Sequence, residues 1–307
     1  MNKMKSLETI LNEAEKNGCV VKKDVLLADY TTFRTGGKIN AVVSPCDENS
    51  ALLFLKNCKE NGVRFLILGN GSNVLASDNG FDGVAIRLTG NMNKIEYLGN
   101  GIIKAQAGAT LASLCRLALE HSLSGLEFAY GIPGTVGGAV FMNAGAYGGE
   151  MKDVLENAGH IDLTEMTFGE YDKTSLDLSY RHSAYSNGVY LILNACFKLE
   201  KGDKNEIKAK MDDFLQRRTD KQPLDLPSAG STFKRPEGNF AGALIEQCNL
   251  KGYTIGGAQV SAKHAGFIVN IGGATSSDIL SLIDYVKKTV KENTGVDLEP
   301  EVRILED

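Results

Sequence analysis

Two glycine-rich loops in otherwise apolar sequence most constrain the fold of this chain. The first, residues 69–73, follows a predicted strand, and the second runs from Gly131 to Gly149. Glycine supplies 34 of the 307 residues, about 11% against an average near 7%. A flexible linker would be rich in serine and charge, and these segments are not. Turns of this kind let consecutive backbone amides face an anion, so two of them predict a site for a diphosphate.

The first loop matches neither of the common nucleotide-binding fingerprints. It lacks the third glycine of the dinucleotide motif, and Asn91 stands where that motif expects an acidic residue. No Gly-Lys-Ser/Thr follows, which excludes a Walker loop. Alone, this loop would more often be a turn without a ligand. The second glycine-rich segment shifts the balance towards a ligand site.

Hydrophobic periodicity predicts an α+β fold in three pieces, residues 1–80, 81–203 and 204–307. The predicted helices are an opening helix with Leu7, Ile10, Leu11 and Ala14 on one face, 47–61, a helix capped by Thr110, a helix burying Ile207, Met211, Phe214 and Leu215, a capped helix over 239–250, and 277–293. The predicted strands are a buried strand at 63–68 and others at 84–88, 95–98, 102–107, 267–270 and 301–305. Gly99-Asn100-Gly101 predicts a hairpin turn between 95–98 and 102–107. The strand, helix and strand pattern between residues 47 and 88 suggests a small βαβ unit.

Charge and composition argue against several classes of partner. The formal net charge is −5, from 33 Lys+Arg and 38 Asp+Glu, and no basic run is longer than the Arg217-Arg218 pair, so nucleic acid is not expected. No apolar run reaches membrane-spanning length, and no apolar signal core opens the sequence. Six cysteines without CxxC spacing predict reduced, buried thiols in a cytoplasmic protein. The four histidines form no metal-binding pair, so no metal site is expected.

Seven short motifs, in this order, resemble the UDP-N-acetylenolpyruvoylglucosamine reductase family, also called UDP-N-acetylmuramate dehydrogenases. They are Thr32-Phe33-Arg34-Thr35-Gly36-Gly37, the 69–73 loop, Ile132-Pro133-Gly134-Thr135-Val136-Gly137-Gly138, Met142-Asn143-Ala144-Gly145-Ala146-Tyr147-Gly148, Tyr180-Arg181-His182-Ser183, Ala229-Gly230-Ser231-Thr232-Phe233-Lys234 and Glu299-Pro300-Glu301-Val302-Arg303. The resemblance covers nearly the whole chain. Only Lys201 to Asn205 separates Leu199 from the next helix, so the chain resembles the shorter, second subtype, which lacks a tyrosine-bearing insertion.

The resemblance implies a fold, a cofactor and a reaction. The fold is an FAD-binding, vanillyl-alcohol-oxidase-like (PCMH-type) unit of two subdomains, followed by an α+β substrate-binding domain. FAD binds without a covalent tether and NADPH reduces it. The substrate is a UDP-sugar whose enolpyruvyl group is reduced during peptidoglycan precursor synthesis. The family implies no obligate protein partner.

The resemblance also assigns three catalytic residues. Ser231 matches the proton donor, and Arg181 and Glu301 match groups that stabilise and polarise the enolate-like intermediate. A serine hydroxyl is a weak acid, and Lys234 and Arg235 are neighbours that could supply a positive field. Without the resemblance, the serine would more often be a turn or capping hydroxyl, the arginine a surface residue and the glutamate an edge charge.

The remaining assignments are carried over from the motifs. Predicted cofactor-binding residues are Arg34, Gly69, Asn70, Gly71, Ser72, Asn73, Pro133, Gly134, Thr135, Gly137, Gly138, Asn143 and Gly145. Predicted substrate-binding residues are Tyr147, Lys221, Arg235 and His264. Arg235 suits a diphosphate because guanidinium offers two donors. His264 stands where some members have an amide, which favours a hydrogen-bonding role over proton transfer.

Two alternatives stay open at this point. One is another FAD oxidoreductase of the same fold, although no histidine lies in a glycine-rich loop to tether flavin. The other is a non-catalytic flavin-binding or nucleotide-sugar-binding protein. Such a protein would bind flavin without NADPH-driven turnover.

Overall fold

A computed structural model describes residues 4–305, which form two compact units. The first unit comprises the described residues up to Lys23, together with Ala41–Asn70 and Gly83–Gln216. The second comprises Asp24–Asn40, Gly71–Asp82 and the described residues from Arg217 onwards. Each unit contains its own cluster of buried apolar side chains. The predicted three-piece division with breaks near residues 80 and 204 stays a prediction.

The first unit is built around a five-stranded antiparallel sheet. Its strands, in spatial order, are Thr167–Asp172, Leu155–Asp162, Tyr190–Lys198, Ile102–Gln106 and Ile95–Gly99. The last two form the predicted hairpin, whose turn holds Asn100 at a φ of 51° between two glycines that also have positive φ. The inner faces of the sheet bury residues such as Ile103, Ala158 and Phe197.

Two helices of the first unit illustrate side-chain capping, and the cap at Thr110 was predicted from the sequence. Asp47 accepts from the Ser50 amide at 2.7 Å in a capping box, and Thr110 accepts from the Ser113 amide at 3.1 Å. The helices here are Leu7–Lys16, Glu48–Glu60, Leu111–Glu120, Val136–Phe141 and Lys204–Lys221, the last of which continues into the second unit. Shorter 3₁₀ turns are Glu127–Ala129, Met151–Asp153 and Ala184–Asn187.

Three boundaries between the two units fall inside strands of a four-stranded sheet. Its order is Val20–Leu26, Lys38–Ser44, Phe81–Ile86 and Phe65–Ile67. Phe65–Ile67 pairs in parallel with residues 84–86, as a βαβ unit requires, but the connection between them contains the strand Val74–Ala76 in place of a helix. Two-residue strand pairs are Leu123–Ser124 with Glu200–Lys201 and Gly145–Ala146 with Gly149–Glu150.

The second unit packs a long helix against a small antiparallel sheet. The sheet order is Ser228–Ser231, Phe267–Asn270, Ala258–Val260 and Thr254–Ile255, and Arg303–Leu305 pairs in parallel with Val74–Ala76. The helix Ser276–Thr294 begins at a Thr275 capping box and ends at Gly295, which has a φ of 76°. A 3₁₀ turn, Leu27–Tyr30, and the helix Ala241–Gln247 complete the unit.

Three local predictions of length, burial or capping are wrong. The strand at 63–68 is shorter, Phe65–Ile67, and is not buried, because Ile67 is 38% exposed. The helix at 239–250 is Ala241–Gln247 and has no side-chain cap. Leu215 is also 38% exposed, so the apolar face of its helix is narrower than predicted. In each case tertiary packing overrides a short apolar pattern.

The cysteines are all free thiols, as predicted, but they are not all buried. Cys46 is exposed, and Cys196 and Cys248 are partly exposed. Burial raises the pKa of the Cys58 thiol to about 12, so that group is protonated at neutral pH. Within residues 4–305, no helix is long and apolar enough to cross a bilayer, and no cluster of three or more His, Cys, Asp or Glu side chains is arranged to hold a metal ion.

Candidate functional site

The two glycine-rich loops predicted to bind an anion are neighbours in the first unit. Asn70 Nδ2 donates to the Pro133 carbonyl oxygen at 3.2 Å. A Cβ atom built on Gly69 would lie 2.9 Å from Thr135 Oγ1, so glycine is needed for this approach. The fold therefore brings together two segments that lie more than 60 residues apart in the sequence.

Thr135 organises the second of these loops. Its hydroxyl accepts from the Gly138 amide at 3.2 Å and begins the helix Val136–Phe141. Gly137 follows directly, where a Cβ atom would lie 2.9 Å from that of Ala107. The helix start is thus packed closely against the end of a strand of the five-stranded sheet.

The remainder of the first loop belongs to the second unit and packs against the Thr32–Gly37 motif. The Thr32 amide donates to the Gly71 carbonyl oxygen at 3.1 Å. A Cβ atom on Gly71, whose φ is 63°, would lie 2.1 Å from the Tyr30 carbonyl oxygen. Arg34 is exposed at a φ of 56°, and Thr35 Oγ1 is buried without a hydrogen-bond partner among the described residues.

These loops have the properties that a bound dinucleotide diphosphate requires. Gly71 is buried, and within residues 4–305 the amides of Gly71 and Ser72 have no protein acceptor. In the first unit the amides of Asn70 and Gly134 likewise have none in the described chain. Buried amides are normally paired, so unpaired amides in consecutive residues fit an anionic ligand. The residues present therefore fit FAD.

Arg181 lies at the tip of a two-residue turn in the first unit. Ser179 and His182 exchange both backbone hydrogen bonds, at 3.1 and 3.2 Å, and Arg181 adopts a φ of 55°. Its guanidinium lies over the Tyr180 ring, 5.1 Å from the centroid, and Nη2 donates to the Gly145 carbonyl oxygen at 3.5 Å. The catalytic arginine predicted from the motif is thus held against the predicted cofactor-binding segment at Gly145.

The segment from Asn143 to Glu150 contains a tight hairpin. Tyr147 and Gly148 form its turn, with φ values of 54° and 88°, as a type I′ turn requires. The exposed Tyr147 ring stacks on Phe214, with 4.6 Å between ring centroids and 9° between ring planes. Asn143 is buried at the base of the hairpin. Phe214, predicted only as a core residue, therefore supports a predicted substrate-binding side chain.

Ser231 and Glu301 come together in the second unit. The Glu301 amide donates to the Thr232 carbonyl oxygen at 2.8 Å, and Phe233 pairs with Pro300 in an isolated bridge. Asn73 Nδ2 donates to the Glu301 carbonyl oxygen at 3.2 Å. Glu301 therefore lies opposite the residue that follows Ser231, although the two predicted catalytic residues are 70 positions apart in the sequence. Arg181 belongs to the other unit.

His264 lies beside Ser231 over a glycine. A Cβ atom built on Gly266 would lie 3.4 Å from Ser231 Oγ and 3.3 Å from His264 Nδ1. The Gly266 amide donates to His264 Nδ1 at 3.2 Å, so the neutral ring has its proton on Nε2. Burial lowers the pKa of His264, Lys251 and Lys221 lower it further, and Glu246 opposes them. His264 is therefore a neutral hydrogen-bond donor at pH 7.

The two basic residues after Ser231 differ in their surroundings. Lys234 Nζ lies 2.5 Å from Glu299 Oε1, so its charge is paired. Arg235 lies over the exposed Phe240 ring, with Cζ 4.0 Å from the centroid, and Nε donates to the Asn239 carbonyl oxygen at 3.4 Å. A positive field at Ser231 from Lys234 is thus weakened by its glutamate partner. Glu299 is a residue that the sequence analysis did not single out.

We expect the lowered pKa of His264 to make the second unit less stable in acid. Its folded pKa lies below the unfolded value, so the folded state binds fewer protons, and the free energy of unfolding falls as pH decreases below about 6.5. One histidine contributes at most about 1.4 kcal/mol per pH unit. His264→Gln should remove the contribution of this one histidine to the pH dependence of the free energy of unfolding. Denaturant titrations between about pH 5 and 7.5 would measure that dependence. An unchanged pH slope in the variant would contradict the assignment.

The family models that match this chain define its class. Residues 39–163 match the model of an FAD binding domain, and residues 222–305 match that of the UDP-N-acetylenolpyruvoylglucosamine reductase C-terminal domain. An alkyldihydroxyacetonephosphate synthase structure, at 13% identity and a TM-score of 0.51 over 66% of this chain and 42% of that one, shares the fold alone. The chain is thus an oxidoreductase built on an FAD-binding fold, which confirms the predicted vanillyl-alcohol-oxidase-like class.

More similar relatives give the family. The UDP-N-acetylenolpyruvoylglucosamine reductase of Clostridium novyi (strain NT) is 49% identical over 301 residues, covering 98% of this chain and 95% of its own. The crystal structure of UDP-N-acetylenolpyruvylglucosamine reductase (MurB) from Thermus caldophilus is 35% identical with a TM-score of 0.81, covering 94% of this chain and all of that one. The chain belongs to the UDP-N-acetylenolpyruvoylglucosamine reductase family.

Proposed function

We propose that this protein reduces the enolpyruvyl group of UDP-N-acetylglucosamine enolpyruvate to give UDP-N-acetylmuramate, with NADPH as reductant. The observation that carries the proposal is that the Glu301 amide bonds to Thr232, the residue after Ser231, while Ser231 and His264 both lie beside Gly266. Family membership supplies the reaction class. The product is a precursor of peptidoglycan, so the activity serves cell-wall synthesis.

The glycine-rich loops would hold FAD through backbone amides. When bound, FAD would supply the redox chemistry that links oxidation of NADPH to hydride addition at the β-carbon of the enolpyruvyl ether. The amides of Asn70, Gly71, Ser72 and Gly134 are the donors offered to its diphosphate. The remaining predicted cofactor residues are proposed to shape this site, with Arg34 contributing a charge.

The catalytic side chains of the proposal act on the substrate. Negative charge develops on the enolpyruvyl carboxylate as the β-carbon is reduced, and Arg181 offers a positive guanidinium there. Ser231 transfers its proton to the α-carbon, and Glu301 polarises the intermediate. Lys221, Arg235, Tyr147 and the neutral His264 are proposed to bind the UDP-sugar, the first two through phosphate.

The cellular setting of the proposal rests on the thiols. All six cysteines are free, which is typical of a reducing compartment. We therefore propose a cytoplasmic enzyme that meets its nucleotide-sugar and NADPH in solution and requires no nucleic acid, membrane or obligate protein partner.

Anaerobic spectroscopy tests the proposal. The purified protein should show flavin absorbance in the visible region, bleach on addition of NADPH, and regain colour when the enolpyruvyl UDP-sugar is added. A non-catalytic flavin-binding protein would not complete this cycle, and another FAD oxidoreductase would regain colour with a different acceptor. A colourless protein that does not take up FAD would refute the assignment.

Glu301→Gln should slow recovery of flavin absorbance by substrate. Glutamine keeps the size of the side chain and the backbone bonds to Thr232 and Asn73 but removes the charge. The expected loss is about tenfold, equivalent to about 1.4 kcal/mol. Stopped-flow measurement with Glu299→Gln as the neighbouring control separates the two carboxylates, since Glu299 pairs with Lys234. Equal rates for the two variants would argue against a role for Glu301.

A further inference from the structure

In the first unit, three side-chain hydrogen bonds join the turn that carries Arg181 to the segment 141–145. Ser183 Oγ donates to the Phe141 carbonyl oxygen at 2.8 Å, and Arg181 Nη2 donates to the Gly145 carbonyl oxygen at 3.5 Å. Between them, Asn143 Nδ2 donates to the Ser179 carbonyl oxygen at 2.8 Å. The Asn143 bond is the one that holds the base of the turn, because Ser179 pairs directly with His182.

Asn143 also holds the hairpin that carries Tyr147. Its Nδ2 donates to Glu150 Oε2 at 2.6 Å, and its Oδ1 accepts from the Lys152 amide at 2.9 Å. Glu150 is in turn paired with Lys152 Nζ at 2.7 Å. The amide is 1% exposed, and both of its N–H donors are used by protein acceptors. No donor of this side chain is left for a cofactor.

We propose that Asn143 is a positioning residue that fixes Arg181 for catalysis, in place of binding FAD through its side-chain amide. The inference rests on the proposed function, in which Arg181 stabilises the enolate-like intermediate. Arg181 has a left-handed backbone, and its guanidinium bond to Gly145 is long. The short, buried Asn143 bond therefore anchors the base of the turn, together with the Ser183 bond to Phe141. Small displacements of a catalytic group reduce rates strongly, so loss of this bond lowers the rate without removing any group that touches substrate.

The test replaces the donors of Asn143 while keeping its shape. Asn143 has a φ of 41°, which aspartate tolerates better than alanine. Asn143→Asp keeps the acceptor for the Lys152 amide but removes both donors. Adding Glu150→Gln restores a donor opposite the new carboxylate, so the pair lacks chiefly the bond to Ser179. Glu150→Gln alone is the reference.

A second buried asparagine provides a matched control in the same unit. Asn194 Nδ2 donates to Glu48 Oε1 at 2.9 Å, and Asn194 is 7% exposed. Asn194→Asp with Glu48→Gln, compared with Glu48→Gln alone, makes the same exchange away from the Arg181 turn. This control measures what general destabilisation does to the reaction.

We expect the Asn143→Asp, Glu150→Gln protein to be reoxidised by the enolpyruvyl UDP-sugar about 10- to 100-fold more slowly than Glu150→Gln. Flavin content and the rate of reduction by NADPH should stay within about twofold, because the FAD-binding amides are intact. Arg181→Lys should lower reoxidation about tenfold in the Glu150→Gln background but less than about twofold when Asn143 is also changed, since the two residues act as a unit.

Three outcomes overturn the inference. The first is that the rate losses of Asn143→Asp and Arg181→Lys multiply. The second is that the Asn194→Asp, Glu48→Gln protein loses reoxidation rate to the same extent. The third is that flavin content falls with Asn143→Asp, which would assign Asn143 to the cofactor. Wild-type protein that bleaches with NADPH but is never reoxidised by the UDP-sugar would refute the proposed function itself and the inference with it. If the double variant does not fold, Asn143→Gly, which accepts the φ of 41°, removes the same donors and is measured in the same cycle, with additivity again counting against the inference.

Discussion

Ser231→Ala is expected to lower the rate of reoxidation by the enolpyruvyl UDP-sugar by about 10²- to 10⁴-fold, the range typical of a positioned general acid. The hydroxyl lies beside Gly266 and His264, and alanine removes it without filling space. Reduction of the flavin by NADPH should be unchanged, because Ser231 acts only on the substrate. Stopped-flow absorbance separates the two half-reactions, and Ser231→Cys, which keeps a proton donor, should recover part of the rate.

Ser228→Ala is the control for Ser231→Ala, since both serines lie on the strand Ser228–Ser231. Ser228 pairs with Val269 at the other end of that strand. The control should retain turnover within a few-fold. If Ser231→Ala turns over as fast as Ser228→Ala, the proton must come from another group or from water, and the catalytic assignment of the serine is wrong.

Gly71→Ala is expected to abolish retention of FAD. A Cβ atom there would lie 2.1 Å from the Tyr30 carbonyl oxygen and 2.8 Å from Thr31 Cα. Positive φ alone destabilises a residue other than glycine by about 1–2 kcal/mol, and the collision with backbone adds to this. The loop must therefore move, and its unpaired amides move with it. Flavin absorbance after gel filtration reports the loss of FAD, and thermal unfolding reports the loss of stability.

Gly273→Ala isolates the collision from the backbone strain. Gly273 has a φ of 66°, close to the 63° of Gly71, but a Cβ atom there would meet nothing within 4 Å. This control should lose only the modest stability that positive φ implies and should keep its flavin. If the Gly71→Ala protein keeps its FAD and unfolds at the same temperature as the Gly273→Ala protein, the loop does not hold the cofactor.

Elements with local signals are predictable from the residues alone. The Thr110 cap predicted its helix, the ranges 47–61 and 277–293 were predicted as helices, and the Gly99–Gly101 turn predicted a hairpin, because these depend on hydrogen bonds and φ values within a few residues. The seven motifs also identified the family, since their order carries far more information than any one of them. Local patterns failed where burial decides, as for Ile67 and Leu215.

Which residues meet, and which hydrogen-bonding groups each side chain has free for a ligand, follow from the packing of the whole chain. Glu301 is bonded to Thr232, the residue after Ser231, by a backbone hydrogen bond that no periodicity reveals. Asn143 lies in a glycine-rich motif that suggested a cofactor contact, yet its donors bind Ser179 and Glu150. A hydrogen-bonding group can be assigned to a ligand only after its protein partners are known, and those partners lie 7 and 36 residues away. Sequence spacing does not fix such distances, because they follow from how the whole unit packs.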